Sequence, residues 1–272
     1  MSHLHRELAP IGEAAWEEID REATRTLKRT LAARRLVDFS GPHGWRHSCI
    51  GLGRTRPIGG ALAGVEAELR HAQPLVELRV PFALDRAELD AIERGARDPN
   101  LDAVTAAARR AAHAEDHAIF EGFKEARIRG LLETAGGHAM ALSEDYEKYP
   151  QIVASALTWL RHQGVDGPYR IALGPRCFQG LTETTNKGGY PVMKLVQQQL
   201  DGRIVWASAL DGALILSMRG GDFELEVGQD FAIGYRRHDA ERVELYLEES
   251  FTFLAHTPEA AVPLRYPAPQ EA

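Results

Sequence analysis

Hydrophobic and polar residues alternate along residues 220–254. One set is Phe223, Leu225, Val227, Val243, Leu245, Leu247, Phe251 and Phe253; the opposite set is Glu224, Glu226, Glu244, Glu248 and Thr252. Only Glu249 breaks the alternation. A period of two over this length predicts antiparallel strands with one buried face and one solvated face. Such a sheet needs other elements to cover its buried face.

Apolar residues spaced by three and four predict two helices that can provide this cover. The first helix has the apolar positions Trp16, Ile19, Ala23, Leu27 and Leu31 and ends near Arg34 and Arg35. The second is longer and begins at Asp98-Pro99, with proline in its first turn. Its predicted buried side is Leu101, Val104, Ala108, Ala111, Ala112, Ile119 and Phe120. Because alanine permits close approach of another backbone, we expect this helix to be central.

Residues 44–74 have the weakest globular pattern. The run GLGRTRPIGGALAG contains five glycines, and it predicts an extended arm with a turn near Gly59-Gly60. A loop of this length is unusual within a compact domain, which favours an arm whose partners lie on another chain. A disordered surface hairpin is the alternative.

The rest of the chain mixes short strands and helices. Residues 75–82 alternate as a strand, and Asp85 with Glu88 has the spacing of a helix capping box. Beyond residue 130 the pattern predicts helices at 150–162, after Gly174-Pro175 and at 191–200, and strands at 169–173, 203–207 and 213–218. This is a compact lobe of mixed structure, so the predicted fold class is α+β.

Composition limits the functional classes. The chain has 272 residues, a formal net charge of −7 and a pI near 5.9, which argues against a general nucleic-acid binder or a binder of acidic membranes. No stretch reaches the roughly 18 apolar residues of a membrane span, and no signal-peptide pattern precedes the first helix. Cys49 and Cys177 are far apart, which fits a reducing compartment and leaves a disulfide open. We therefore expect a cytoplasmic protein.

Motifs of catalysis are mostly missing from the sequence. There is no Gly-x-Ser-x-Gly elbow, no phosphate-binding loop and no Cys-x-x-Cys pair. The strongest enzyme candidate is the pair His113 and His117, which lie one helical turn apart with Glu115 and Asp116 nearby. A metal-dependent hydrolase built on this pair is one alternative function, although no third ligand is identified. A solvated or interface helix face is the other interpretation.

Several segments, in this order along the chain, resemble encapsulin shell proteins, once labelled linocin-type bacteriocins. They are LHRELAPI, RRLVDFSGPHGW, PLVELRVPFALDRAELDAIERGA, AEDHAIFEGF and GGDFELEVGQDFAIGYRRHDAERVELYLEESFTF. The resemblance implies a phage major-capsid-like fold of the Hong Kong 97 type. It implies an N-terminal helix with the start of the peripheral domain (1–43), an extended loop (44–74), the peripheral domain with its long helix (75–130), an axial domain with a pore loop (131–219) and the C-terminal sheet of the peripheral domain (220–272).

The function implied by this resemblance is structural. Copies of the chain, about sixty of them, would form a closed icosahedral shell whose symmetry leaves no exposed edge. The shell would enclose a cargo enzyme carrying a C-terminal targeting peptide, either a dye-decolourising peroxidase or a ferritin-like iron oxidase, with roles in oxidative stress or iron storage. No catalytic residue, metal or cofactor is expected, and neither nucleic acid nor a membrane is an expected partner. A viral major capsid protein, which would package nucleic acid, is the other alternative.

The resemblance also implies two sites. The cargo-peptide groove is expected at Arg34, Asp38, Phe39, Asp230, Phe231 and Ile233. The apolar members would supply pockets and the charged ones orientation; the alternative is that the apolar residues are core and the charged residues are rim. The pore loop is expected at Thr182, Glu183, Thr184, Thr185, Asn186, Lys187, Gly188 and Gly189, which is otherwise an ordinary polar loop. Ala87 stands where some relatives carry an aromatic residue, which argues against a bound flavin.

Overall fold

The structure is a computed structural model and describes residues 3–267. The helices are α1 Glu13–Thr30, α2 Arg86–Glu93, α3 Asp102–Phe120, α4 Leu131–Thr134, α5 Tyr149–His162, α6 Pro175–Glu183 and α7 Val192–Gln197. The strands are β1 Asp38–Ser40, β2 Cys49–Ile58, β3 Ala67–Pro74, β4 Val76–Asp85, β5 Gly122–Phe123, β6 Ile128–Arg129, β7 Met140–Ala141, β8 Tyr169–Leu173, β9 Ile204–Trp206, β10 Ala213–Ser217, β11 Phe223–Val227, β12 Ala232–His238, β13 Arg242–Ala255 and β14 Ala261–Arg265.

Strand β13 is the centre of the first sheet. One of its edges pairs antiparallel with β4, and the other pairs with β12 along its first half and with β11 along its second half. Strand β1 adds to β11 in parallel. The predicted antiparallel strands at residues 223–227 and 243–253 are therefore present, and the 14-residue length of β13 lets one strand join two packing environments.

The two long helices cover the β12 end of this sheet. The apolar faces of α1 and α3 form one core with Ile233, Val243, Leu245 and Leu247. Within α3, Ala108 and Ala112 are fully buried, which lets the helix backbone approach its neighbours closely, as the alanine pattern predicts. Helix α3 begins at Asp102 rather than at Pro99, since residues 98–101 connect it to α2.

The second sheet has the order β7-β14-β10-β8-β9 and shares a core with β11 and the second half of β13. It contains the predicted strand 169–173 at the expected bounds, and α5 and α6 begin within one residue of the predicted positions. The sheet also takes in β14, which pairs antiparallel with β10. The chain therefore returns to this sheet at residues 261–265, within the segment 220–272 assigned to the first sheet; residues 268–272 of that segment lie outside the described part.

The predicted solvated face of β13 is wrong for its central residues. Glu248 and Thr252, which the alternation places on that face, are both buried. Glu248 accepts hydrogen bonds from His3 Nε2 at 2.7 Å and from Arg79 Nε at 3.0 Å, so the N-terminal segment and the Arg79 side chain of β4 supply polar partners on this face. Both faces of the central strand are thus occupied.

The predicted capping box at the start of α2 is also wrong. Asp85 makes no side-chain cap; its Oδ1 instead accepts a hydrogen bond from Arg242 Nε at 3.0 Å. The Glu88 carboxylate accepts from the Asn100 backbone N–H at 2.9 Å. Both carboxylates therefore join separate elements rather than closing one helix end.

Strands β2 and β3 form a hairpin that projects from the rest of the chain. Apart from its base, it is almost entirely exposed, and Ile58, Leu62, Val65 and Leu69 are between 42 and 74% exposed. An isolated two-stranded hairpin is only marginally stable in water. The predicted extended arm is present, and it takes the form of a hairpin over residues 49–74 with a connecting loop at 59–66.

Candidate functional site

Three of the six residues predicted for the groove converge on the guanidinium of a fourth, Arg34. This residue lies in the short 3-10 turn Ala33–Arg35, directly after α1. Its Cζ is 5.1 Å from the ring centroid of Phe39 and 4.9 Å from that of Phe231. Its Nη1 lies 2.9 Å from Asp230 Oδ1. We call Arg34, Phe39, Asp230 and Phe231 the Arg34 pocket.

The pocket has an exposed rim. Phe39 is 41% exposed, the Asp230 side chain is 40% exposed, and Phe231 is partly buried against the helix-covered core. The Arg34 side chain is 17% exposed. A guanidinium between two ring faces gains cation–π attraction, which grows when the groups are shielded from water. The arrangement offers an approaching chain both apolar surface and a carboxylate.

Two buried carboxylates hold Arg34 from below. Glu115 of α3 accepts from Arg34 Nη2 at 2.7 Å and from Nε at 2.9 Å, and Glu249 of β13 also accepts from Nη2. Both carboxylates are essentially inaccessible to water. One guanidinium is thus surrounded by three carboxylates when Asp230 is counted.

Protonation relieves this excess of negative charge. Burial, followed by the neighbouring charge of Glu115, raises the pKa of Glu249 well above its usual range. Its Oε2 has no hydrogen-bond partner within the described residues. Burial alone would lower the pKa of Arg34, but hydrogen bonding to Glu115 and the surrounding carboxylates raise it overall, so Arg34 stays charged.

Asp116 fixes the turn that carries Arg34. Its carboxylate is buried and accepts hydrogen bonds from the backbone N–H groups of Ala32 and Ala33, with distances of 2.8 to 3.1 Å. Burial raises the pKa of Asp116 to about 7, and these two backbone hydrogen bonds limit the rise. Asp116 therefore positions the Arg34 pocket through the backbone.

We expect Asp116→Asn to remove a pH dependence of stability. Because the pKa of Asp116 is raised in the folded chain, the folded chain holds a proton that the unfolded chain releases. The stability that this proton contributes is complete below about pH 4 and is lost as pH rises to about 7. Asparagine keeps an acceptor for the two N–H groups and does not ionise. The gain of the variant over the unmodified chain should therefore grow from pH 4 to pH 7 in denaturant unfolding. Asp116→Ala is the control, since it leaves both N–H groups unpaired and should be destabilised throughout; a pH-independent gain for Asp116→Asn would contradict this assignment.

Asp38 and Ile233 lie apart from the Arg34 pocket. The Asp38 carboxylate accepts from the Gly221 backbone N–H at 2.6 Å and so joins β1 to the turn before β11. Ile233 is only 3% exposed and belongs to the core beneath α1 and α3. Ile233 is therefore a core residue, as the alternative interpretation of the groove predicts, whereas Phe39 is too exposed to be one.

The predicted pore loop begins inside a helix. Thr182 and Glu183 form the last turn of α6, and the loop proper connects it to α7. Asn186 Oδ1 accepts from the backbone N–H groups of Gly188 at 3.0 Å and Tyr190 at 2.9 Å. Local hydrogen bonds thus organise this loop, and its Lys187 is exposed.

The histidine pair considered for metal binding lacks its proposed neighbours. His113 and His117 are exposed on α3 with ring centroids 6.4 Å apart, whereas Glu115 and Asp116 point into the protein. Among residues 3–267, no group of three or more His, Cys, Asp or Glu residues is placed to hold a metal ion. The described helices include none that is long and apolar enough to cross a membrane. Cys49 and Cys177 are both free thiols.

Sequence reasoning missed Glu115 and Glu249 as parts of the pocket. Glu249 did leave a signal, because it is the single break in the alternation of β13. A charged residue on the buried side of a strand requires a partner. The sequence did not identify that partner as Arg34, which is separated from Glu249 by 215 positions.

Comparisons with known proteins agree on one family. A family model described as an encapsulating protein for peroxidase matches residues 1–252. A type 1 encapsulin shell protein of Rhodospirillum rubrum is 52% identical over 271 residues and 97% of each chain. The type 1 encapsulin shell protein of Mycobacterium tuberculosis is 45% identical over 98% of this chain and 100% of that one.

Solved structures confirm the predicted capsid-like fold. A virus-like particle from Pyrococcus furiosus matches with a TM-score of 0.64 at 15% identity, covering 90% of this chain and 97% of that chain. The capsid of an empty GTA particle matches with a TM-score of 0.56 at 12% identity, covering 88% of this chain and 97% of that chain. At these identities the matches establish a shared fold.

Proposed function

The chain belongs to the encapsulin family of shell proteins, and from this premise we propose that its shell encloses a guest protein held at the Arg34 pocket by a C-terminal targeting peptide. As an encapsulin, the chain assembles with copies of itself into a capsid-like nanocompartment. Its relatives are structural shell proteins rather than enzymes.

The observation that supports docking at the Arg34 pocket is its two aromatic rings, exposed Phe39 and partly buried Phe231, around a charged centre. Phe39 and Phe231 offer apolar surface, and Asp230 offers a hydrogen-bond acceptor at the rim. Peptide-binding grooves combine such apolar anchors with a few polar groups that set orientation. The buried carboxylates beneath Arg34 fix its guanidinium, so the rim is formed before a peptide arrives.

The guest we propose is a dye-decolourising peroxidase, with a ferritin-like iron oxidase as the second choice. The description of the matching family model as an encapsulating protein for peroxidase favours the first. Enclosure of a peroxidase would serve a response to oxidative stress, and enclosure of an iron oxidase would serve iron storage. The shell would consist of about sixty chains, a number compatible with closed symmetry, and would lie in the cytoplasm.

The loop at residues 182–189 is our proposal for the lining of a pore that admits small molecules. It carries Glu183 and Lys187, so it has no single sign of charge. Exposed, locally hydrogen-bonded polar residues are suited to an aqueous opening.

We expect Phe231→Asp to leave shells closed and to abolish loading of the guest. An aspartate adjacent to Asp230 removes an apolar anchor and adds like charge to a site that already has three carboxylates. The measurement is co-purification of a co-expressed dye-decolourising peroxidase with shells seen by negative-stain microscopy. Phe231→Leu, which keeps an apolar side chain, is the matched control and should retain loading.

Phe39→Ser tests the same pocket with less risk to folding, since Phe39 is more exposed. Its loading should also fall. Normal loading of both Phe231→Asp and Phe39→Ser would refute the docking site.

A peroxidase whose C-terminal segment has been removed should stay outside unmodified shells. The absorbance of purified shells at 260 nm should show no packaged nucleic acid.

A further inference from the structure

A large cleft lies along the exposed face of α3. Its volume is about 1250 Å³, and it is lined by the second half of α1, by residues 122–125 and by Trp206. Thr105 Oγ1 donates a hydrogen bond to Glu22 at 2.8 Å, which joins α1 to α3 at one end of the cleft. We call this surface the α3 cleft.

Basic side chains accumulate in the α3 cleft. The lining contains Arg25, Arg29, Arg109, Arg110 and Lys124. Arg25 is paired with Glu22 at 2.7 Å, but none of the other four forms an ion pair with any residue in the described part of the chain. Like charges that lie close together repel one another, and this repulsion destabilises the fold unless a partner neutralises them. The accumulation is unexpected in a chain with a net charge of −7.

The same cleft offers apolar surface. Trp206 is 43% exposed, and Phe123, Leu78, Ala114 and Ala118 also contribute to the lining. The volume exceeds the roughly 300–1000 Å³ of small-molecule pockets, which favours an extended chain as the occupant. Glu22, Asp102 and Glu125 interrupt the basic lining, which disfavours a nucleic-acid backbone, because that needs a continuous run of cations.

We propose that the α3 cleft binds an acidic peptide segment of the enclosed guest. This inference rests on the proposed guest, and it adds a second contact to the one at the Arg34 pocket. Helix α1 forms a wall of the cleft up to Thr30, and Arg34 follows four positions later, so one continuous stretch of chain serves both sites. Carboxylates of the segment would pair with Arg29, Arg109, Arg110 and Lys124, and its apolar residues would pack against Trp206. Two linked contacts raise the effective affinity of the guest without a larger pocket.

The test uses two fluorescent proteins of different colour, both ending in the C-terminal segment of the guest peroxidase. One carries a Glu-rich linker before this segment, and the other carries a Gly/Ser linker of equal length. When both are co-expressed with the unmodified shell protein, the acidic guest should be enriched about fivefold, which corresponds to about 1 kcal/mol from exposed charge pairs. The double variant Arg29→Glu, Arg109→Glu should remove the enrichment and leave loading of the Gly/Ser guest unchanged.

The matched control is Arg94→Glu, Arg97→Glu, which makes the same change of charge at exposed positions outside the cleft and should keep the enrichment. Equal loading of the two guests by the unmodified shell would overturn the cleft proposal while leaving the Arg34 pocket intact. Failure of the Gly/Ser guest to load would instead count against the proposed docking function. Loss of closed shells in the cleft variant, together with closed shells in the control, would reassign the cleft to contact between subunits. Nucleic acid bound to guest-free shells and lost in the cleft variant would likewise overturn the proposal.

Discussion

Replacing residues 52–71 by Asn-Gly is expected to leave a folded chain that no longer closes into shells. The replacement keeps the pairing of Gly51 with Ala72, which a two-residue Asn-Gly turn can join. It also keeps Gln73, whose amide donates to the Arg127 backbone carbonyl at 3.0 Å. The deleted part is almost entirely exposed and includes Ile58, Leu62, Val65 and Leu69, so we expect its partners to lie on a neighbouring copy.

The measurement is light scattering together with negative-stain microscopy. The truncated chain should remain a single subunit or a small oligomer and should keep a cooperative unfolding transition. Leu62→Ser, a single change at the most exposed of these apolar residues, is the control for the truncation and should weaken assembly without abolishing it. Closed shells of normal diameter from the truncated chain would show that the hairpin is a dispensable surface feature.

Replacement of Arg34 by methionine is expected to destabilise the fold by about 3–5 kcal/mol, the range seen when one partner of a buried ion pair is removed. The change leaves Glu115 buried without its bidentate partner, and it removes the one ion-pair partner that Glu249 has among residues 3–267. Proton uptake by these carboxylates partly relieves the cost. The defect should therefore be smaller at pH 5 than at pH 8 when denaturant midpoints are compared.

Two controls separate the role of Arg34 from a general effect of lost charge. Arg236→Met removes an exposed arginine whose side chain is 61% accessible, and it should change stability by less than about 1 kcal/mol. Adding Glu115→Gln and Glu249→Gln to Arg34→Met should recover part of the lost stability, because the buried groups can then no longer be charged. A defect of Arg34→Met that is small and equal at both pH values would show that the carboxylates do not depend on this guanidinium.

Local pattern predicted much of the architecture. The strand at residues 169–173 and the buried side of α3 follow from periodicity, because side chains repeat every two residues in a strand and every 3.6 in a helix. The signals used for helix starts were less accurate: Asp85 precedes α2 but makes no side-chain cap, and α3 begins at Asp102 rather than at Asp98-Pro99. A capping residue is defined by its hydrogen bond, and sequence spacing alone does not reveal that a distant arginine takes the carboxylate instead.

The candidate site was only partly accessible to sequence reasoning. The resemblance to a family named Arg34, Phe39, Asp230 and Phe231, and the structure brings these four residues together. The buried acids beneath them were not named, since Glu115 was interpreted as a neighbour of His113. In a helix, residues two positions apart point to different sides, so Glu115 faces Arg34 while His113 faces the α3 cleft.

The sequence by itself determined the kind of protein. Local sequence patterns predict its strands, its two long helices and its extended arm, and recognisable segments indicate its membership of a shell-forming family. The tertiary structure alone decided the environment of each charge. Arg34 and Glu115 are 81 positions apart, and Glu249 comes from a third element, so their meeting depends on how α1, α3 and β13 pack. Burial and long-range electrostatics arise from this packing, whereas periodicity describes only residues that are neighbours along the chain.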